Sequence, residues 1–72
     1  MNRDQAVKIA KDLMLQYMEQ LSVLSIVEDE RGQFSITFRA GSSLESLRVY
    51  LADRNLVLFD DKENGMYRIY EP

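Results

Sequence analysis

Residues 30–36 of this chain read ERGQFSI, and residues 63–69 read ENGMYRI, so one pattern returns after 33 positions. The same offset places Tyr17 on Tyr50, and no gap is needed to bring the two halves into register. In each half a helical pattern precedes two strand-like stretches that are separated by a glycine-containing turn. The repeated pattern therefore predicts a helix followed by a β-hairpin, twice.

The chain is short, and its length limits how a fold can be stabilised. Its 72 residues are predicted to form one domain over residues 1–72, with a pseudo-repeat at 3–39 and 43–72. A domain of this size buries only about 60% of its unfolded surface. The chain also contains no cysteine for a disulfide. Association with another subunit is therefore the expected source of additional buried surface.

The first helix is predicted to run from Arg3 to Leu24. Asn2 is a suitable N-cap residue, and Gln5 stands where a capping-box partner belongs. Helical spacing gathers the apolar residues into an arc of about 180°, wider than the ~100° stripe that one contact surface requires. These residues are Ala6, Val7, Ile9, Ala10, Leu13, Met14, Tyr17, Met18, Leu21 and Leu24. Such a helix is expected to contact both its own sheet and a second helix or subunit, while Leu15 lies alone in the polar half.

The remaining elements follow from alternation and from turn residues. Residues 25–29 and 33–39 are predicted to form the first hairpin, with Gly32 suited to a positive φ in its turn. A second helix is predicted to start with a Ser-x-x-Glu capping box at residues 42–45 and to end at Asn55, which tolerates the left-handed conformation.

The second hairpin is predicted from residues 56–60 and 66–70. Residues 56–59 are apolar at every position, which is typical of a strand that is covered on both faces. The predicted fold is therefore α+β, with the order αββαββ. It consists of a four-stranded antiparallel sheet with two helices on one face.

Catalytic and metal-binding patterns are weak in this sequence. The chain has no cysteine and no histidine, and none of its serines lies in a Gly-x-Ser-x-Gly motif. Acidic residues cluster in the two predicted hairpin loops. Asp60, Asn64, Gly65 and Glu71 match calcium-loop positions in part, but Lys62 stands where an oxygen ligand is needed. We therefore expect no enzymatic activity, no metal site and no cofactor.

The charge and the apolar runs give an expected location. The longest uninterrupted apolar stretch, residues 56–59, is far shorter than the roughly 20 residues of a membrane span. Behind Met1 there is no apolar run of signal-peptide length. With a net charge of −3, the chain is expected to be a soluble cytoplasmic protein of bacterial or phage type, without a membrane association.

Nucleic-acid binding is the alternative function from another class. An open sheet face could offer basic side chains and a stacking surface. The residues expected on that face are Arg39, Met66, Arg68 and Tyr70. A single basic face formed by Arg39, Arg48, Arg54 and Arg68 would favour nucleic acid, whereas a hydrophobic groove would favour protein. Residues 43–70 also resemble the second half of a winged-helix fold, which requires two further helices before them.

Protein–protein contact is the favoured function. The wide apolar arc of the first helix, the apolar third strand and the short chain all point to it, and a homodimer is the simplest assembly. Methionine suits adaptable contact surfaces and tyrosine suits interfaces. The predicted interface residues are Met14, Leu15, Met18, Leu58 and Tyr70. The chain is thus interpreted as a small non-enzymatic interaction protein that binds itself, another protein, or both.

Overall fold

The computed structural model describes residues 1–17, 20–41, 45–61 and 65–72. The helices and strands are α1 (Arg3–Gln16), β1 (Leu21–Glu28), β2 (Phe34–Ala40), α2 (Glu45–Ala52), β3 (Val57–Asp61) and β4 (Met66–Tyr70). The strands form one antiparallel sheet in the order β1-β2-β4-β3. The predicted αββαββ order and α+β class are confirmed. In the described part of the chain, no helix has the length and apolar character that crossing a membrane requires.

Helix α1 begins as predicted but ends earlier. The Asn2 side chain accepts from the Gln5 amide at 2.9 Å, and the Gln5 side chain accepts from the Asn2 amide at 2.9 Å, which completes the capping box. The helix ends at Gln16, so the predicted end at Leu24 is wrong. Its buried residues form a stripe narrower than the predicted arc, and they are Ala6, Ile9, Ala10 and Leu13.

Strand β1 begins earlier than the sequence predicts, because residues 21–24 belong to it and not to the first helix, while residues 25–28 are a strand as predicted. It pairs with β2 from Leu21 opposite Ala40 to Glu28 opposite Phe34, with an irregularity between Val23 and Ser25. This pairing satisfies the main-chain groups of β1 that face β2, through partner residues as far along the chain as Ala40. A local helical pattern does not reveal such a partner.

The core lies between the helices and one face of the sheet. Ile36 and Ile69 face each other across the two central strands, and both are fully buried. Beside them, the Phe38 and Tyr67 rings stack with centroids 5.4 Å apart. Helix α1 packs over β1 and β2, and α2 packs against β3. The buried residues of both helices share one core with Ile36 and Ile69, so both helices cover the same face, and no helix of the described residues lies on the opposite face.

Strand β3 lies at an edge of the single four-stranded sheet, and within this chain only one of its faces is covered. The predicted cover on its other face would have to come from a second subunit, which stays a prediction. Leu58 contacts the core, whereas Val57 and Phe59 are 36% and 48% exposed. The four-residue apolar run is therefore covered on one face only. Two helices of this length cannot cover both faces of a four-stranded sheet, and an apolar residue on the uncovered side remains in contact with solvent.

The turn residues behave as the sequence predicts. Gly32 and Gly65 have φ values of +78° and +64°, and Asn55 has a φ of +57° after α2. The Asp29 carboxylate accepts from the amides of Arg31 and Gln33 at 2.8 and 3.0 Å, which closes the first hairpin loop. The capping box predicted at residues 42–45 begins outside the described residues.

The sheet places the two halves of the self-match symmetrically. Ile36 and Ile69, which are 33 positions apart, are direct partners in the β2–β4 pair. The order β1-β2-β4-β3 puts each hairpin's second strand at the centre and its first strand at an edge. This arrangement is the one that a two-fold axis between β2 and β4 would generate. Common descent of the halves stays a prediction.

Candidate functional site

Strand alternation separates the helix-covered face of the sheet from an uncovered face. Ile36 and Ile69 point towards the helices, so their strand neighbours Thr37 and Arg68 point the opposite way. The register places Thr37 opposite Arg68, and Arg68 opposite Phe59. We call this uncovered side the open face. Its residues include Ser25, Val27, Ser35, Thr37, Arg39, Val57, Phe59, Met66, Arg68 and Tyr70.

Apolar side chains on the open face concentrate on β3 and β4. Tyr70 lies opposite Val57, and Arg68 lies opposite Phe59 with Met66 two residues before it. Val57 and Phe59 are exposed, and Met66 and Tyr70 are half-buried. These five residues, Val57, Phe59, Met66, Arg68 and Tyr70, are the open-face patch. It is an apolar surface with one cationic side chain at its centre.

Arg68 is held in place by its neighbour across the strands. Its guanidinium carbon lies 5.7 Å from the centroid of the Phe59 ring, within the range of a cation–π contact. Among the described residues the one salt bridge joins the Met1 amine to Glu71, at 3.6 Å. The Arg68 guanidinium is exposed beside an aromatic ring, and its N–H groups can bind a carboxylate or a phosphate in a bidentate manner.

Two depressions border the open-face patch. A cleft of about 520 Å³ lies at its Tyr70 end, between Val27 and Ser35 on one side and the C-terminal Glu71 and Pro72 on the other. A smaller depression of about 180 Å³ lies between Thr37, Phe59 and Met66. Both depressions are partly open to solvent, so the open face suits an extended contact surface better than a fully enclosed small molecule.

A second polar cluster joins the two helices on the other side of the molecule. The Tyr50 hydroxyl donates to the Asp12 carboxylate at 3.4 Å, and the Arg54 guanidinium lies 3.7 Å from the Tyr50 ring centroid. Burial raises the pKa of Tyr50, Arg54 lowers it, and Asp12 raises it. The Tyr17 hydroxyl is 3.0 Å from the Ser46 hydroxyl. These contacts link α1 to α2 and have a structural role.

The four arginines that would favour nucleic acid do not form one face. Arg39 and Arg68 lie on the open face, whereas Arg48 lies on α2 and Arg54 lies in the turn that follows α2, on the helix-covered side. Arg54 is also engaged, since it donates to the Tyr50 carbonyl at 3.1 Å. The winged-helix alternative is wrong as well, because α1 and two paired strands precede α2.

The predicted interface residues do not meet on one surface. Met14 and Leu15 are exposed on α1 and point in directions about 100° apart. Leu58 contacts the core, and Tyr70 lies on the open face. Met18 lies outside the described residues. Whether any of these residues contacts a partner stays a prediction.

Phe59 and Val57 are the open-face residues that the sequence interpretation missed. The apolar run from Leu56 to Phe59 predicts a strand covered on both faces and does not distinguish these two residues from Leu58. One signal could have corrected this assignment. Strand β3 is short and ends with Asp60 and Asp61, and short strands with charged residues are typical of sheet edges.

The acidic loop residues do not form a metal site in the part of the chain that the structure describes. No group of three or more acidic side chains there is close enough to share a cation. The Asp29 carboxylate accepts two loop amides instead. In the partial calcium-loop match, Lys62 and Asn64 lie outside the described residues, so the structure does not test this match.

Comparison of the chain with protein-family models, with curated proteins and with solved structures finds no match. The geometry of the open face and the chemistry of its residues therefore carry the information on function.

Proposed function

We propose that this chain is a non-enzymatic interaction module that binds a partner protein through the open-face patch. The observation that carries the proposal is the grouping of Phe59, Met66, Arg68 and Tyr70 on a sheet face that has no helix over it. Aromatic residues, methionine and arginine are the types enriched in protein interfaces, whereas lysine and glutamate are depleted there. The open-face patch has this composition.

Its chemistry also indicates what the partner presents. Apolar side chains would cover Val57, Phe59 and Met66, which are in contact with solvent in the isolated chain. Burial of Arg68 beneath them without a counter-charge would be costly, because an unpaired buried charge loses its hydration. We therefore infer that the partner surface combines apolar side chains with a carboxylate that pairs with Arg68.

Nucleic-acid binding is the second candidate, and one observation favours it. Arg39 and Arg68 share the open face with Phe59 and Tyr70, which could stack on unpaired bases. Against it, Arg48 lies on α2 and Arg54 lies in the turn after α2, so neither shares the open face. The chain also carries a net charge of −3, which repels a phosphate backbone. Protein is therefore the favoured partner.

A random peptide library displayed on phage tests the proposal, with the wild-type chain as bait. We expect enriched peptides that combine apolar residues with Asp or Glu. Phe59→Ser and Arg68→Ser should each weaken their binding about tenfold or more, as removal of a central interface residue does. Val49→Ser is the matched control, because Val49 is exposed on α2, and it should leave binding unchanged.

Two results would contradict the proposal. One is the absence of any enriched peptide whose binding depends on Phe59 or Arg68. The other is tight binding of single-stranded oligonucleotides at low salt, measured by fluorescence polarisation, that Arg68→Ser abolishes. The second result would assign the same surface to nucleic acid.

A further inference from the structure

The two edges of the sheet differ in how well they are protected from pairing with another strand. Strand β3 has five residues and ends with two aspartates, and both features discourage further pairing. Strand β1 has eight residues, and its one charged residue is Glu28 at its end. It contains no lysine and no proline. Apart from a bulge at Leu24, the β1 edge therefore lacks the features that usually prevent an edge strand from pairing with another strand.

Exposed apolar side chains accompany the β1 edge. Leu24 and Val27 are 45% and 48% exposed, and Met14, on the adjacent helix, is 45% exposed. Val7 borders a depression together with Ile26 of β1. Met14 lies two helical turns after Val7, on the same side of α1. The strand edge and the flank of α1 thus form one continuous surface.

The main chain of β1 beyond its bulge is suited to a further strand. The Asp29 amide donates to the Gln33 carbonyl at 2.8 Å, so the main-chain groups of Asp29 point towards the β2 side. In an antiparallel pair, every second residue of a strand does the same. Counting back from Asp29, the amide and carbonyl groups of Val27 point towards β2. Those of Ile26 and Glu28 point away from the sheet. These outward groups can pair with an incoming antiparallel strand.

We propose that two copies of this chain associate through antiparallel pairing of their β1 strands, with the two-fold axis at Ile26. The four-stranded sheets join into one eight-stranded sheet, and the helices of both copies lie on the same face of it. Ile26 faces its own counterpart, and Ser25 faces Val27 of the other copy. This surface is separate from the open-face patch, and the inference does not depend on the proposed function.

The position of α1 favours a second copy over an isolated peptide strand. Helix α1 packs over both β1 and β2. A helix axis midway between these strands would lie about one strand spacing, ~4.8 Å, from the proposed two-fold axis. The two α1 helices then lie about 10 Å apart, which is within the range for packed helices. A partner that brings its own helix covers Met14 and Val7 as well as the strand edge. A bare strand would leave them exposed.

The charges on β1 agree with the antiparallel arrangement. In the register centred on Ile26, Glu28 of one copy lies opposite Leu24 of the other, so the two carboxylates are apart. Parallel pairing in register would instead oppose the two Glu28 side chains, which is unfavourable. The antiparallel register also places side chains of the same face opposite each other, because Ser25 and Val27 both lie on the open face.

Light scattering after size exclusion is the first test, at micromolar concentration. We expect a mass of twice the 8.4 kDa of one chain. Met14→Lys should weaken the dimer roughly tenfold or more, because it places a charge between the two α1 helices. Leu15→Lys is the matched control. Leu15 is adjacent in sequence but points about 100° away, so this variant should remain dimeric. A monomeric wild type, or equal effects of the two substitutions, would overturn the proposal.

Cross-linking tests the register, and the chain's lack of cysteine makes the background clean. In the proposed dimer, residues 25 and 27 of the two copies face each other in a non-hydrogen-bonded pair, with Cα atoms about 4.5 Å apart. This spacing suits a disulfide. The double variant Ser25→Cys/Val27→Cys should form covalent dimers on mild oxidation.

The control for cross-linking is Ser35→Cys/Thr37→Cys, on the inner strand β2 and the same face. It should remain uncross-linked, because β2 is paired along both of its edges, with β1 and with β4, and cannot pair with a second copy. Efficient covalent dimers in the control, or none in the β1 double variant, would overturn the β1 arrangement. The first of these results would indicate that two open faces stack on each other.

Discussion

Two tyrosines at equivalent positions of the self-match join the helices of this protein. Tyr17 lies at the end of α1 and reaches Ser46 of α2, and Tyr50 lies in α2 and reaches Asp12 of α1. Both hydroxyls are at the boundary between core and solvent, where tyrosine combines an apolar ring with a polar tip. They connect two helices that have few other direct contacts.

The Tyr50 contact predicts a loss of stability at high pH. Burial raises the pKa of Tyr50 above its usual value of 10.0. Above about pH 10 the unfolded chain loses this proton while the folded chain retains it, so the free energy of unfolding falls as pH rises. This contribution is fully present below about pH 10 and is lost as pH rises through the folded-state pKa. In urea denaturation at increasing pH, Tyr50→Phe should show a shallower alkaline decline. Parallel declines would contradict the assignment.

Ile36 lies where the two hairpins meet, and truncation of its side chain should lower the stability of the fold. It is fully buried on β2 opposite Ile26 and Ile69. Ile36→Val should lower the free energy of unfolding by about 0.5–1.5 kcal/mol, because one methylene group is removed from a packed site. Leu15→Ala is the control. Leu15 is 73% exposed, so its truncation should change the free energy of unfolding by less than about 0.5 kcal/mol.

At the scale of elements, the C-terminus of α2 shows how local sequence determines a boundary. The Leu56 amide donates to the Leu51 carbonyl at 2.9 Å, and the Asn55 amide donates to the Ala52 carbonyl at 3.1 Å. Together with the positive φ of Asn55, these bonds form a Schellman motif, and Leu51 and Leu56 are both buried in the core. The motif directs the chain from α2 into β3.

This motif gives a paired prediction at one position. Asn55→Ala should lower the free energy of unfolding by about 1 kcal/mol, because a Cβ disfavours the left-handed conformation when no side-chain amide compensates. Asn55→Gly should leave it unchanged or raise it slightly, since glycine adopts a positive φ without a steric penalty. The two variants can be compared by urea denaturation. Equal stabilities would contradict the conformational explanation.

Local signals of this kind were the predictable part of the fold. The Asn2 capping box, the positive φ of Gly32 and the helix end at Asn55 each depend on residues within a few positions of one another. The alternation in β2 was equally clear, because its inner side chains are buried and its outer ones are polar. These signals were sufficient to predict the number, order and type of the elements.

The errors arose where a distant partner determines the structure. Leu21 and Leu24 fit the helical spacing of α1, yet pairing with β2 places them in a strand. The apolar run from Leu56 to Phe59 fits a strand covered on both faces, yet within this chain only one face of β3 is covered. The open-face patch depends on that same order of strands. Its members come from two strands whose relative position the sequence pattern does not state.

For the whole molecule, the near-symmetric sheet makes the differences between its halves informative. A two-fold arrangement about the β2–β4 pair makes β1 and β3 equivalent edges. The first is long and nearly uncharged, and the second is short and acidic. Equivalent edges with such different chemistry are consistent with different roles. Under our proposals, β1 joins two copies and β3 contributes Phe59 to partner binding.

A dimer of this kind predicts that stability depends on protein concentration. Dissociation accompanies unfolding, so mass action favours the folded dimer as the total concentration rises. In the dimeric regime the free protomer varies with the square root of the total. Each tenfold increase should therefore add about 0.7 kcal/mol per protomer to the apparent free energy of unfolding.

Thermal denaturation followed by circular dichroism over a wide concentration range measures this dependence. The wild type and Leu15→Lys should show midpoints that rise with concentration. Met14→Lys should show a lower midpoint, and below its raised dimer dissociation constant that midpoint should not change with concentration, because the folded variant is then a monomer. A constant wild-type midpoint would mean that the β1 edge does not join two copies when the chain is folded, even though its outward amides and apolar flank are suited to that contact.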